Sequence, residues 1–291
     1  MNRRSYGLAA ILFSTMGAVF AQADLPVAAL QADRIVVAAH QVQMTSAGSG
    51  RYTVIFESGF GTDLRAWRKV APEVAKSARA ITYSRAGYGG SDTRPEPRTL
   101  LQSSLELDQL VDAAGLRPPF ILVGHSYGGL LARAFAARHP DWVAGMVLVD
   151  PADERFTPAL RQLDASRVEA DDRQFAAIVP AKFQSELKLL QPVLDSGALP
   201  SGTSGRLPDV PVVVLTSVQA ADKPMFFLET PQALAIKRHL HADFLRQFSD
   251  GTQVVTDKSG HNIQQEEPAL VIAAVDKVIA AAEARSGRAG L

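Results

Sequence analysis

Apolar and polar positions alternate along the chain in two ways, which predict strands and helices in turn. Short apolar runs rich in β-branched or aromatic residues are typical of strands, and they occur at 35–42, 52–56, 80–83, 120–123, 145–149, 211–215 and 253–255. Apolar residues at helical spacing predict helices after residue 63, at 100–114, at 130–139, at 231–248 and from 268 into the Ala-rich tail. Strands that alternate with helices favour a parallel sheet covered on both faces. The pattern therefore predicts an α/β fold.

One stretch of the chain breaks this alternation. Residues 151–208 contain amphipathic segments among charged residues, lack strand periodicity and end in turns rich in Ser and Gly. We interpret this stretch as a helical insertion before the last two strands. The core then consists of residues 24–150 and 209–291, and an α/β core of this size commonly forms a single domain.

The first 23 residues have the three-part pattern of a secretory signal peptide. Arg3 and Arg4 precede a mostly apolar run from Leu8 to Phe20, and small-residue cleavage patterns follow it. The run is shorter than the ~20 residues needed to cross a bilayer. We therefore expect residues 1–23 to be removed on export, with no membrane anchor after cleavage and a periplasmic or secreted location.

Composition narrows the range of functions. The chain has 30 Lys+Arg and 30 Asp+Glu, a formal net charge of zero that does not favour binding to nucleic acid or an anionic membrane. It has no cysteine, which excludes disulfides, Cys-ligated zinc and thiol nucleophiles. There is no HExxH motif, P-loop or dinucleotide-binding glycine pattern, so we expect no metal and no cofactor.

The strongest candidate for chemistry is the segment Gly124-His125-Ser126-Tyr127-Gly128. It reads G-x-S-x-G, follows the apolar run 120–123 and precedes a helical pattern, which is the strand–turn–helix context of a nucleophile elbow. Glycines on both sides of the serine let the strand and the helix approach closely. We therefore expect Ser126 to be a nucleophile, and a glycine-rich structural turn is the alternative.

A serine nucleophile needs a base, and the base needs an orienting carboxylate. His261 is the expected base because it lies in a loop just after the last predicted strand, in the chain order Ser, acid, His. The other histidines, including His125 beside the serine, are interpreted as structural or surface residues. Asp150 is the favoured acid because it ends the strand after the elbow. Asp222, seven residues beyond the next strand, is the alternative acid, and Asp257 also competes.

The tetrahedral intermediate of acyl transfer needs two hydrogen-bond donors aimed at its oxyanion. The amide of Tyr127 follows the nucleophile at a helix N-terminus and is the first candidate. Phe60 is the second, because its loop follows the strand at 52–56 and Gly59 and Gly61 let the backbone turn inward. A tight strand-to-helix turn with no catalytic role is the alternative for this loop.

Four segments together resemble the α/β-hydrolase superfamily, specifically its serine-dependent, esterase-like branch with a cap domain. They are 124–129, 84–91, 147–151 and 259–261. The resemblance extends over nearly the whole mature length. It implies an α/β-hydrolase fold, with a mostly parallel central sheet flanked by helices and the insertion as a cap over the pocket. It also implies Ser126 as nucleophile, His261 as base, and Phe60 and Tyr127 as the oxyanion amides.

Three positions depart from the family pattern. Ser58 replaces the common histidine of the oxyanion loop, and Ser84 replaces an aspartate. The strand at 211–215 lacks the usual Gly-x-x-Asp after it. This departure favours Asp150, since some superfamily members place the acid after the earlier strand.

These observations predict an exported serine hydrolase that cleaves small to medium carboxylic esters through an acyl-enzyme. A serine nucleophile argues against haloalkane dehalogenase and epoxide hydrolase chemistry, which uses aspartate in this fold. Peptidase or amidase, lactonase and C–C bond hydrolase activities with the same triad are alternatives. A further alternative is a binding protein with the same fold and no catalytic activity. The expected partner is a small-molecule ester.

Overall fold

The computed structural model describes residue 30 and residues 32–289, so the predicted signal peptide lies outside the described residues. Eight strands of this part form one sheet in the order β1-β2-β4-β3-β5-β6-β7-β8. They are β1 (Asp33–Val37), β2 (His40–Ala47), β3 (Thr53–Glu57), β4 (Arg79–Tyr83), β5 (Phe120–His125), β6 (Val143–Val149), β7 (Val212–Ser217) and β8 (Gly251–Thr256). The strands from β3 to β8 are parallel, whereas β2 is antiparallel to both β1 and β4. The predicted mostly parallel sheet is confirmed.

Helices cover both faces of the sheet. They are α1 (Ala71–Val74), α2 (Leu100–Ala113), α3 (Tyr127–Arg138), α4 (Phe156–Ile178), α5 (Gln184–Ser196), α6 (Pro231–Leu245), α7 (Ile263–Glu266) and α8 (Pro268–Ala289). Helices α2, α3 and α6 pack in one apolar layer, and α1 and α8 pack in the other. No helix in the described part of the chain is both long and apolar enough to span a membrane.

The parallel strands are buried on both faces, which explains their nearly continuous apolar runs. Ile55, Leu122 and Leu148 enter the layer of α2, α3 and α6. Their neighbours Val54 and Val123 enter the opposite layer, since successive side chains of a strand point to opposite faces.

The prediction of a single strand at 35–42 is wrong, because two antiparallel strands occupy this part of the chain. Strands β1 and β2 pair across a two-residue turn, with Val37 opposite His40. The turn residues Ala38 and Ala39 both have positive φ, 47° and 66°. Asn or Gly normally fills such a turn, so an Ala-Ala pair provides no turn signal in the sequence.

The stretch predicted as an insertion contains α4 and α5, between β6 and β7. Leu187 and Leu190 of α5 pack in one cluster with Phe60 and Tyr127, which follow β3 and β5. Helix α4 packs against the start of α6. Phe175 of α4 also packs against the cluster of Phe60 and Tyr127, so both helices lie against the residues predicted to form the oxyanion hole.

Candidate active site

Strands β3, β5, β6 and β7 end at the same level of the sheet. Glu57 is paired with Gly124, and Val149 with both His125 and Leu215. The chain direction across the sheet reverses at β3, because β4 lies on one side of it and β5 on the other. The carboxyl ends of strands at such a reversal are a common place for ligands.

Ser126 has the strained backbone of a sharp turn between β5 and α3. Its φ is 53° and its ψ is −121°, and its amide donates to the carbonyl of Val149 at 3.1 Å. A Cβ on Gly128 would lie 2.4 Å from the carbonyl oxygen of Glu57, and one on Gly124 would lie 2.6 Å from the carbonyl oxygen of Gly128. Both positions therefore require glycine, and this steric requirement explains the two glycines of the G-x-S-x-G motif.

Asp150 lies directly after β6, with a φ of 40° and a fully buried side chain. Its Oδ2 accepts from His261 Nδ1 at 2.7 Å and from Lys237 Nζ at 2.9 Å, and its Oδ1 accepts from Ser217 N at 2.9 Å. Burial alone would raise the pKa of Asp150, but Lys237 and the hydrogen bond from His261 outweigh it and hold this pKa well below its usual range. Asp150 is therefore an anion. Because a carboxylate only accepts hydrogen bonds, His261 donates from Nδ1, and its neutral ring then has its acceptor at Nε2.

His125 supports the backbone of His261. Its Nε2 lies 2.9 Å from the carbonyl oxygen of His261, and because a carbonyl only accepts, Nε2 carries the proton. Burial, with a smaller contribution from the nearby His261, lowers the pKa of His125 to about 3, so His125 is neutral near pH 7. The sequence predicted a structural role for His125, but not this contact with the His261 loop.

The loop after β3 is held by Arg85. Arg85 Nη1 donates to the carbonyl of Ser58 at 2.5 Å, and Nη2 donates to the carbonyl of Gly59 at 2.8 Å. In a planar trans peptide the N–H points away from the preceding carbonyl, so the amide of Phe60 faces away from Arg85. Tyr127 is the first residue of α3, and its amide has no partner in a preceding helical turn. Phe60 and Tyr127 both line the cavity that Ser126 enters.

A buried polar cluster behind this loop was not predicted. Arg85 Nη1 contacts Glu57 Oε2 at 3.2 Å, and the guanidinium lies over the rings of Tyr88 and Tyr127. Burial raises the pKa of Glu57 to about 7, against the opposing effect of Arg85. The hydroxyl of Tyr88 donates to Glu186 Oε2 of α5 at 2.6 Å and accepts from Gly61 N at 3.3 Å. The cluster thus ties the loop after β3 to the insertion.

The departure at Ser58 has a local explanation. Its hydroxyl donates to the carbonyl of Asp63 at 3.0 Å and accepts from Trp67 Nε1 at 3.1 Å. Both contacts lie within the connection from β3 to the following turn. Ser58 therefore fastens this loop to its own continuation.

The competing acids lie elsewhere. Asp222 and Asp257 are both exposed, and neither lines the cavity that contains Ser126 and His261. Asp150 is the acid that the structure brings to His261.

Helix α6 supplies Lys237, which the sequence did not predict for this site, and His241, which was expected to be a structural or surface histidine. His241 Nε2 donates to the carbonyl of Pro151 at 3.0 Å, and its Nδ1 accepts from the Thr216 hydroxyl at 2.9 Å. Burial lowers the pKa of His241 to about 4, so the ring is neutral near pH 7. The two residues are four positions apart on one helix face, which was the available signal, but no motif connected that face with Asp150.

Ser126 and His261 open into a cavity of about 430 Å³. Its walls are largely apolar, and the insertion and the loops around it supply Phe156, Phe175, Leu187, Leu190, Leu194, Phe226 and Leu228. Within the described residues, no group of three or more His, Asp or Glu side chains is arranged to hold a metal ion.

The fold and the elbow define the class of protein. A family model described as the alpha/beta hydrolase fold matches residues 52–196. The chain belongs to the α/β-hydrolase superfamily, and it is a hydrolase with esterase- and lipase-like neighbours.

Individual relatives agree with this placement. The chain is 29% identical to the uncharacterised protein YqjL of Bacillus subtilis over 81% of its own length and 86% of that protein. It is 28% identical to lipase LipV of Mycobacterium tuberculosis over 78% of its own length and 93% of that protein. Its fold is similar to that of a thermophilic esterase from Thermogutta terrifontis, with a TM-score of 0.55 and 20% identity over 87% of this chain and 99% of the other.

Proposed function

We propose that this protein is a serine hydrolase that cleaves carboxylic esters of small to medium size. The observation that carries the proposal is the 2.7 Å hydrogen bond from His261 Nδ1 to Asp150 Oδ2, in a cavity that Ser126 shares. Ser126 lies on a strained elbow, and its expected base has the tautomer that leaves Nε2 free to accept a proton.

The mechanism proceeds in two halves. Ser126 Oγ attacks the ester carbonyl while His261 Nε2 takes its proton, and Asp150 stabilises the resulting imidazolium. The amides of Phe60 and Tyr127 bind the oxyanion. His261 then protonates the departing alkoxide, which leaves Ser126 acylated. Water, deprotonated by His261, attacks the acyl-enzyme, and His261 then returns the proton to Ser126 Oγ as the acid leaves.

The walls of the cavity support an apolar substrate of limited size. A volume of about 430 Å³ lies at the lower end of the range usual for small-molecule pockets. Phe175, Leu190 and Leu194 face this volume from the insertion. Esters with a short or medium acyl chain are the substrates that such a volume favours. One relative of similar length has the name lipase and one structural neighbour the name esterase, which agrees with this choice.

Turnover of p-nitrophenyl esters, from acetate to decanoate, tests the proposal. The mature protein is expected to hydrolyse the shorter members, and Ser126→Ala is expected to lose at least ~10³-fold in kcat/KM. Turnover that survives in Ser126→Ala would exclude the serine mechanism. Amide and lactone substrates tested beside the esters separate the alternative activities, and labelling by a fluorophosphonate separates any serine hydrolase from a silent binding protein.

We also propose that the protein is exported with loss of its N-terminal signal peptide, by cleavage before Gln22 or before Asp24. The support is the pattern of Arg3, Arg4 and the apolar run that follows. Mass spectrometry of protein recovered outside the cytoplasm of its native host is expected to find a terminus at Gln22 or Asp24. An intact Met1 in that material would exclude cleavage.

A further inference from the structure

Lys237 places a positive charge against the carboxylate that orients the proposed base. Its Nζ lies 2.9 Å from Asp150 Oδ2, and its side chain is 15% exposed whereas that of Asp150 is fully buried. The proposed reaction assigns no step to this lysine. A close, largely buried ion pair at the centre of a proposed triad therefore calls for a role.

The ammonium and the imidazole compete for one oxygen. His261 Nδ1 lies 2.7 Å from the same Oδ2 that Lys237 contacts, whereas Oδ1 is occupied by the amide of Ser217. The negative charge of Asp150 is therefore divided between Lys237 and His261. A cation beside a histidine disfavours its protonated form, so Lys237 opposes the stabilisation of imidazolium that Asp150 provides.

Other charged groups near His261 do not duplicate this effect. His125 and His241 are neutral near pH 7, as described above. Glu266 lines the same cavity, but it is exposed to solvent and holds the amide of Gly260 at 2.8 Å. Asp153 is paired with Arg155 at 2.7 Å. Among the described residues that line the cavity, Lys237 is the one lysine or arginine.

Helix α6 fixes the position of this charge. One turn beyond Lys237, His241 is bound to the carbonyl of Pro151, the residue after Asp150. The Thr216 hydroxyl holds the other ring nitrogen of His241 and accepts in turn from Gln253. The same helix face therefore holds both the carboxylate and the backbone of the Asp150 turn, so that Lys237 is anchored beside the acid.

We propose that Lys237 is a positioning residue that shares Asp150 with His261 and disfavours the imidazolium, so that the base stays available at lower pH. This inference rests on the proposed function, because it assigns His261 the role of base. Lys237 acts through Asp150 and His261 and does not touch the reacting atoms.

The test compares Lys237→Met with wild type in two measurements. Lys237→Met is expected to move the acid limb of kcat/KM upward by about one pH unit, the shift expected from loss of a partly screened charge that shares Asp150 Oδ2 with the ring. The midpoint of the His261 ring titration by NMR is expected to move in the same direction. Lys237→Arg keeps the charge and is expected to keep both values near wild type. Arg238→Met removes one positive charge from an exposed position of the same helix and is the matched control.

The outcomes are separable from failure of the proposed function. An upward shift of both values in Lys237→Met, absent in Lys237→Arg and Arg238→Met, supports the inference. An unchanged NMR midpoint in folded Lys237→Met overturns it, whether or not any ester is turned over. Wild type that neither hydrolyses esters nor reacts with a fluorophosphonate overturns the proposed function instead.

Discussion

Replacement of Asp150 by asparagine is expected to damage both catalysis and stability. The carboxylate accepts three hydrogen bonds, from Ser217 N at Oδ1 and from Lys237 and His261 at Oδ2. An asparagine side chain has a single acceptor oxygen, and its amino group only donates. Whichever way the amide turns, its amino group faces a donor, either the amide of Ser217 or the pair formed by Lys237 and His261.

The size of both effects follows from this arrangement. Lys237 loses its counter-charge in a largely buried place and at least one buried donor is left unpaired, which together cost about 3–5 kcal/mol in the free energy of unfolding. His261 also loses the anion that fixes its proton on Nδ1. Loss of that role costs about 10³–10⁴-fold in kcat, or about 4–5.5 kcal/mol of barrier.

Two assays on the same preparations measure these effects. Urea unfolding followed by tryptophan fluorescence gives the free energy of unfolding, and hydrolysis of p-nitrophenyl butyrate gives kcat and KM. Asp222→Asn is the matched control, since Asp222 is exposed and outside the cavity, and it is expected to leave both quantities nearly unchanged. Retention of more than a tenth of kcat in Asp150→Asn, or the large loss in Asp222→Asn instead, would refute the reasoning.

Three further predictions concern the surroundings of the site. The pKa of His241 falls from 6.5 to about 4 on folding, so the unfolded chain binds more protons than the folded chain between these two pH values. The free energy of unfolding therefore falls as the pH is lowered through this range. His241→Gln is expected to remove on the order of 3 kcal/mol of this pH dependence, measured by urea unfolding between pH 4 and 7. Gly59→Ala would bring a Cβ to 2.9 Å from His125 Nδ1. We expect the free energy of unfolding, measured in urea, to fall by about 1–3 kcal/mol and kcat to fall at least ~10-fold. A fully active variant would contradict the close packing. Arg85→Met leaves Glu57 and two loop carbonyls without their donor. We expect it to lower the free energy of unfolding by about 3–5 kcal/mol and kcat by about 10²-fold. Arg85→Lys is not expected to restore kcat, because an ammonium lacks the planar fork of a guanidinium.

Residues tied to a local turn or to a strand end were predictable from the sequence. The elbow at Ser126 needs glycine on both sides for steric reasons, and these glycines are visible as a motif. Asp150 and His261 each follow an apolar run, and parallel strands bring their carboxyl ends to one edge of the sheet. Chain order and strand ends therefore suggested which side chains meet.

Residues that reach the site from a helix or from a distant loop were not predictable in this way. Lys237 lies 87 positions from Asp150 along the chain, on a helix that carries no motif. Arg85 lies in a segment with a recognisable pattern, but its contacts with the loop carbonyls depend on how that segment folds back. The turn at Ala38-Ala39 was not predicted, because alanine rarely has a positive φ and an Ala-Ala pair is not a recognisable turn sequence.

The claim that Ser126 is an activated nucleophile is tested most directly by reaction with a fluorophosphonate, followed by mass spectrometry of the intact protein and its peptides. We expect one adduct per chain on Ser126, no adduct on Ser126→Ala and much slower labelling of Asp150→Asn. Unlabelled wild type, or an adduct on another residue, would contradict it.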